Sequence, residues 1–83
     1  MTAITVYCLG AFRDLGDSFR VDVDDVTVGA IRDEVSRHLL ALNRSDLDGV
    51  LKRSIFAEGD ELLKDHATVS GSELSLLPPV AGG

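Results

Sequence analysis

What this chain has little of sets the first bounds. Cys8 is its only cysteine, so no intrachain disulfide can form, which fits a reducing compartment. Basic charge is scarce: 8 Lys and Arg stand against 14 Asp and Glu, a formal net charge of −6. A nucleic-acid binder would display a basic face, so that class is excluded, and an acidic body steers basic protein partners instead. No apolar run approaches the roughly 18 residues of a membrane span, and no basic-then-apolar leader opens the sequence. The expectation is a cytoplasmic protein with no membrane association. Internal repeats, linkers and low-complexity tracts are also missing. At 83 residues the chain suffices for one domain with a modest core that needs no staple.

Catalytic constellations are equally scarce. His38 flanks a helical stripe and His66 lies in a turn, with no Cys or His partner at ligand spacing, so no metal site is expected. Asp22, Asp24 and Asp25 lack the following glycine and distant Glu of a calcium loop, and read as a solvated acidic edge. Cys8 falls on the apolar side of a strand pattern and has no activating base in sequence, so it reads as a small core residue. Gly10 and Gly16 are too isolated for a phosphate-binding loop.

Periodicity supplies the fold. Ile4, Val6 and Cys8 alternate with Thr5, Tyr7 and Leu9, and Phe19, Val21 and Val23 alternate with Arg20, Asp22 and Asp24. These runs predict two strands forming a hairpin, with turn chemistry in Arg13-Asp14-Leu15-Gly16-Asp17. Thr27 caps a helix, with Val26 and Ile31 spaced for a hydrophobic staple. Val28, Ile31, Val35, Leu39 and Leu42 form its core-facing stripe, and Asn43 stops it. Ser45 to Lys52 predicts a short helical turn, and Arg53 to Ala57 a strand closed by a Glu58-Gly59-Asp60 turn. Leu62 and Leu63 predict a short edge element, and Leu74 to Leu77 the last strand. The expected fold is α+β, a four- or five-stranded mixed sheet with one main helix across one face.

The two prolines are adjacent and follow the last strand directly, in Leu77-Pro78-Pro79-Val80-Ala81-Gly82-Gly83. Proline fixes φ and removes a donor, so Pro78-Pro79 ends the strand ladder and launches a stiff, extended spacer. Residues 1–77 are therefore expected to form the domain and 78–83 a flexible tail that reaches up to roughly 20 Å. No side chain after Glu73 carries charge, and Gly82 and Gly83 have no side chain at all. A carboxylate on such an arm can enter a channel that excludes any Cβ. Chemically, this end reads as the substrate of another enzyme, with Gly83 as the reacting residue.

The element order, Phe12-Arg13-Asp14-Leu15-Gly16 after the first strand, Val26-Thr27-Val28 opening the helix, and the Pro-Pro-Val-Ala-Gly-Gly ending together resemble the small subunit of molybdopterin synthase. That family belongs to the ubiquitin-like β-grasp sulfur carriers. The resemblance covers essentially the whole chain, and the double-proline diglycine ending is its most specific part. The chain departs from the family at Phe56-Ala57-Glu58, where family members often carry an Asn.

The resemblance implies a non-catalytic sulfur-donor subunit with no bound cofactor. A ubiquitin-activating-type enzyme would use ATP to adenylate Gly83. A sulfur-donating persulfide enzyme would then displace AMP, leaving a thiocarboxylate. Inserted through Pro78, Pro79, Val80, Ala81 and Gly82, that sulfur would reach cyclic pyranopterin monophosphate inside the large catalytic subunit, in a heterotetramer. The resemblance also implies docking through an apolar patch at the tail's base, with Leu9 and Leu77 as anchors and Arg13 at the rim. The family often has larger aromatics at the two leucine positions. Two alternatives stay open: a β-grasp carrier serving another acceptor (thiamine thiazole, cysteine, tRNA or a specialised metabolite), and a ubiquitin-like modifier joined to lysines through Gly83.

Overall fold

A computed structural model of the protein describes residues 1–79. Strand β1 (Thr2–Cys8) turns Ile4, Val6 and Cys8 inward and leaves Tyr7 exposed on the opposite face, as a period of two requires. It pairs antiparallel with β2 (Ser18–Val23), matching Val6 to Phe19 and Ile4 to Val21. The last strand, β5 (Glu73–Leu77), lies on the other side of β1 and runs parallel to it, with Val6 opposite Leu74 and Cys8 opposite Leu76. Strand β3 (Ile55–Glu58) is antiparallel to β5, and the short β4 (Glu61–Leu63) closes the edge. The five-stranded mixed sheet has the order β2-β1-β5-β3-β4. One inward row, Cys8, Leu76, Phe56 and Leu63, crosses four strands in register. Full burial of such side chains stabilises by about 1.5–3 kcal/mol each before entropy is counted.

Helix α1 (Val28–Ala41) covers that face with Val28, Ile31, Val35 and Leu39, all fully buried. The Thr27 hydroxyl accepts from the Ala30 N–H at 3.3 Å, a cap worth about 1 kcal/mol. Two more free amides of the first turn donate to loop carbonyls, Val28 to Ala67 at 3.0 Å and Gly29 to Asp65 at 2.8 Å. Val26 and Ile31 both join the core, in keeping with the expected staple. The stripe does not extend to Leu42. That residue is the C-cap and is exposed, because Asn43 turns left-handed at φ +60° and ends the periodicity. The Arg44 N–H donates to Leu39 and the Asn43 N–H to Leu40, closing the end in a Schellman arrangement.

The chain after α1 departs from the expected boundaries. Ser45–Leu47 forms a 3₁₀ turn and α2 (Asp48–Lys52) a short helix, together burying Leu47 and Leu51. Strand β3 begins at Ile55 and not at Arg53, because the Arg53 and Ser54 amides donate back to Val50 and Leu51. Arg32 reinforces that stop. From α1 its Nη1 donates to the Leu51 carbonyl at 2.6 Å and the Ser54 carbonyl at 2.9 Å, while Nη2 bonds Asp65 at 2.9 Å. Its guanidinium also lies 5.2 Å from the Phe56 ring centroid.

The β1–β2 connection is likewise more structured than a wide turn. Gly10–Leu15 is a 3₁₀ helix with Phe12 fully buried beneath it. No helix among the described residues is long and apolar enough to cross a membrane.

Candidate functional site

Because β1 and β5 run parallel, the exit of the last strand lies beside the end of the first. Cys8 pairs with Leu76; Leu77 is the next residue of β5, and Leu9 follows directly on the end of β1. Leu9 keeps extended backbone (φ −128°, ψ 154°), so it continues the outward alternation of Thr5 and Tyr7. Leu77 pairs across β3 with Ile55. The next row inward on the same face is Tyr7, Ser75, Ala57 and Leu62. The sheet face opposite α1 is therefore apolar around the tail's base, with Leu9 37%, Tyr7 41%, Ile55 45% and Leu62 61% exposed. Sequence reading singled out Leu9 and Leu77 but passed over Ile55 and Leu62. Their signal was available in the strand parity of Ile55, two residues from Ala57, and in the doubled Leu62-Leu63, of which a strand can bury only one.

Beyond Leu77 the chain is held for one more residue. Pro78 is half-buried and Pro79 exposed. Pro78 packs on Gly10, the first residue of the 3₁₀ helix, where backbone φ is +56°. A Cβ built on Gly10 would lie 2.5 Å from the Pro78 Cγ. Val80, Ala81, Gly82 and Gly83, on which the expected chemistry falls, lie outside the described residues.

Neither the family scan nor the curated protein sequences yield a match to this chain. Among solved structures, the crystal structure of SAMP1 from Haloferax volcanii matches with a TM-score of 0.69 and 31% identity, covering 98% of this chain and 99% of that one. SAMP1 is a ubiquitin-like small archaeal modifier protein. The chain belongs to the ubiquitin-like β-grasp family.

Within this β-grasp protein the side chains around the exit are suited to contact. Arg13, on the 3₁₀ helix, pairs with Asp17 at 3.2 Å, and both are exposed. An exposed pair of that kind contributes little to stability, so the guanidinium can be redirected to an acidic group on a partner. Tyr7 donates its hydroxyl proton to Glu73 at 2.9 Å; that bond and the carboxylate's charge raise the phenol's pKa. Burial pushes the Cys8 thiol up, with the Arg13 charge opposing it, so at neutral pH it is a protonated core group and no nucleophile.

The remaining candidates from the sequence have structural positions. His38 stacks on Phe19 with ring centroids 4.4 Å apart. Asp25 accepts the Thr27 N–H at 3.3 Å ahead of α1. No group of three or more His, Cys, Asp or Glu side chains among the described residues could hold a metal ion. Gly16 has a left-handed φ of +111° and open space around it, the mark of a turn.

Proposed function

We propose that this β-grasp protein is a cytoplasmic sulfur carrier whose reacting group is the Gly83 carboxylate, and that its acceptor is cyclic pyranopterin monophosphate in molybdopterin synthesis. The observation that carries the reading is the parallel β1–β5 pair, which delivers Pro78 and Pro79 from the sheet beside an exposed apolar face. The sequence then continues Val80-Ala81-Gly82-Gly83.

A carboxylate is a poor acyl donor because oxide leaves badly. Attack of the Gly83 carboxylate on the α-phosphorus of ATP forms a mixed anhydride and releases pyrophosphate. The outer sulfur of an enzyme persulfide then attacks the Gly83 carbonyl carbon and AMP departs. A second thiol cleaves the resulting acyl disulfide, leaving a thiocarboxylate and an enzyme disulfide. The thiocarboxylate is a strong nucleophile at neutral pH. This chain contributes the acyl group and the docking face; an adenylating enzyme, a persulfide enzyme and the large synthase subunit contribute the rest.

The second reading, a modifier joined to lysine amines through Gly83, is favoured by the likeness to SAMP1. A carrier for another sulfur acceptor shares the chemistry of the first. Intact mass separates carrier from modifier. After incubation with ATP, an adenylating enzyme and a persulfide source, replacement of one oxygen by sulfur supports the carrier. Isopeptide adducts on lysines support the modifier, and neither product removes both. Assay of the loaded chain with the large subunit and the pterin precursor then tests the acceptor.

Docking through the apolar face predicts that Leu77→Glu weakens binding to the large subunit by about tenfold or more, since a carboxylate would be desolvated at the contact. Leu77 is only half-buried in the free protein, so the fold tolerates the change. An unchanged affinity in a calorimetric titration removes Leu77 from the interface.

A further inference from the structure

We propose that Gly10 is a positioning residue: its bare backbone seats the Pro78 ring and so sets the direction in which the C-terminal segment leaves the sheet. The inference rests on the reading that Gly83 is the reacting residue. Three described glycines, Gly10, Gly16 and Gly59, have left-handed φ. Gly16 and Gly59 have open space where a Cβ would stand, so the backbone turn alone accounts for them. Gly10 differs. A Cβ there would meet Pro78 at 2.5 Å to Cγ, 3.5 Å to Cδ and 3.8 Å to Cβ, so ring and glycine form one fitted contact.

Both sides of that contact are fixed. Gly10 stands between the end of β1, where the Cys8 N–H donates to the Asp17 carbonyl at 2.9 Å, and the fully buried Phe12, whose N–H donates to Leu9 at 3.1 Å. On the other side, Leu77 is paired with Ile55 in the sheet. Each proline fixes its own φ and confines the residue before it to extended backbone, so Leu77 and Pro78 have little torsional freedom left. The remaining freedom is a tilt of Pro78 about the end of β5, and the seat on Gly10 blocks it. A changed exit direction lowers the share of approaches that bring the reacting carboxylate into place.

The test compares Gly10→Ala, Pro78→Gly and the double variant in ATP-dependent adenylation by a ubiquitin-activating-type enzyme, at a temperature where all are folded. Each single variant is expected to lower kcat/KM about tenfold, and the double variant to be no worse than Pro78→Gly alone, because removing the ring removes the collision. If Gly10→Ala lowers Tm but leaves kcat/KM at the native value, Gly10 is only a turn residue and the proposal is overturned. Spin labels at Ser75→Cys and Ala81→Cys in a Cys8→Ala background give a readout independent of the enzyme. The label-to-label distance distribution should shift or broaden on Gly10→Ala, and an unchanged distribution overturns the seat. If the native protein is never adenylated while the labelled Gly10→Ala variant still shows that shift, the carrier reading is rejected and the seat stands.

Discussion

Deletion of Gly83 is expected to abolish ATP-dependent charging, lowering the rate at least about 100-fold, while changing folding stability by less than about 0.5 kcal/mol. The two halves have separate causes. Stability resides in the sheet and helix, where the last fully buried side chain among the described residues is Leu76, and Pro79 is already exposed. Chemistry needs a carboxylate at a set reach from the docking face. Without Gly83 that carboxylate moves to Gly82 and is drawn back by about 3.3 Å, a full residue. Attack on the α-phosphorus of ATP requires reacting atoms within about 3–3.5 Å, so the shortened chain places its oxygen outside attack range. Gly83→Ala separates reach from shape. It keeps the length and adds one Cβ, and a channel narrow enough to demand glycine rejects it. Pyrophosphate exchange measures both variants, and thermal melts measure the fold. A truncated chain charged at the native rate would remove Gly83 from the reaction.

The fold was legible wherever a local rule acts alone. Period-two alternation identified the inward set Ile4, Val6 and Cys8, and a threonine before a helical stripe identified the Thr27 cap. Both depend on neighbours within four residues. What was not legible depends on contacts made at long range. The start of β3 at Ile55, set where the Arg53 and Ser54 amides bond back to Val50 and Leu51, is reinforced by Arg32, a residue of α1 that reads in sequence as one more exposed charge on a helix. The 3₁₀ helix at Gly10–Leu15 overlaps Arg13 to Asp17, whose residues read as turn chemistry, although Phe12 and Leu15 are three apart and so share one side of a 3.0-residue turn. The candidate site divides in the same way. The chemistry proposed for it rests on the side-chain-free Gly82-Gly83, a pattern that needs no neighbours to be read. Its mounting is the contact of Gly10 with Pro78, residues at opposite ends of the chain that meet only because the first and last strands are adjacent. Gly10 is too isolated in sequence to read as a phosphate loop, and the sequence alone offers no cue that a proline ring lies on it.

Phe12→Ala is expected to cost about 3–5 kcal/mol of stability, the range for removing a fully buried phenyl ring. A domain of this size has roughly 4–12 kcal/mol in total, so the variant stands near the edge of folding. Phe12 is fully buried in the same core cluster as Cys8, Leu39 and Leu76. It is the one fully buried side chain of the Gly10–Leu15 helix, whose other attachments are the partly buried Leu15 and an ion pair from Asp14 to Arg44. Truncation therefore leaves a cavity and also frees a segment too short to hold itself, since 3₁₀ geometry is weak in isolation. Phe12→Leu keeps most of the volume and should cost about 1.5 kcal/mol or less. Urea unfolding distinguishes the two: the midpoint falls steeply for alanine and slightly for leucine, at a constant slope. An alanine variant that loses under about 1 kcal/mol would mean that the 3₁₀ helix is held by its ends. The same substitution links folding to delivery. Under conditions where Phe12→Ala remains folded, Gly10 is no longer braced from below, and charging should slow beyond the loss of folded protein. Leu51→Ala instead removes a buried side chain from α2, outside the strands that carry Gly10 and Pro78, and should lower charging only in proportion to the fraction unfolded.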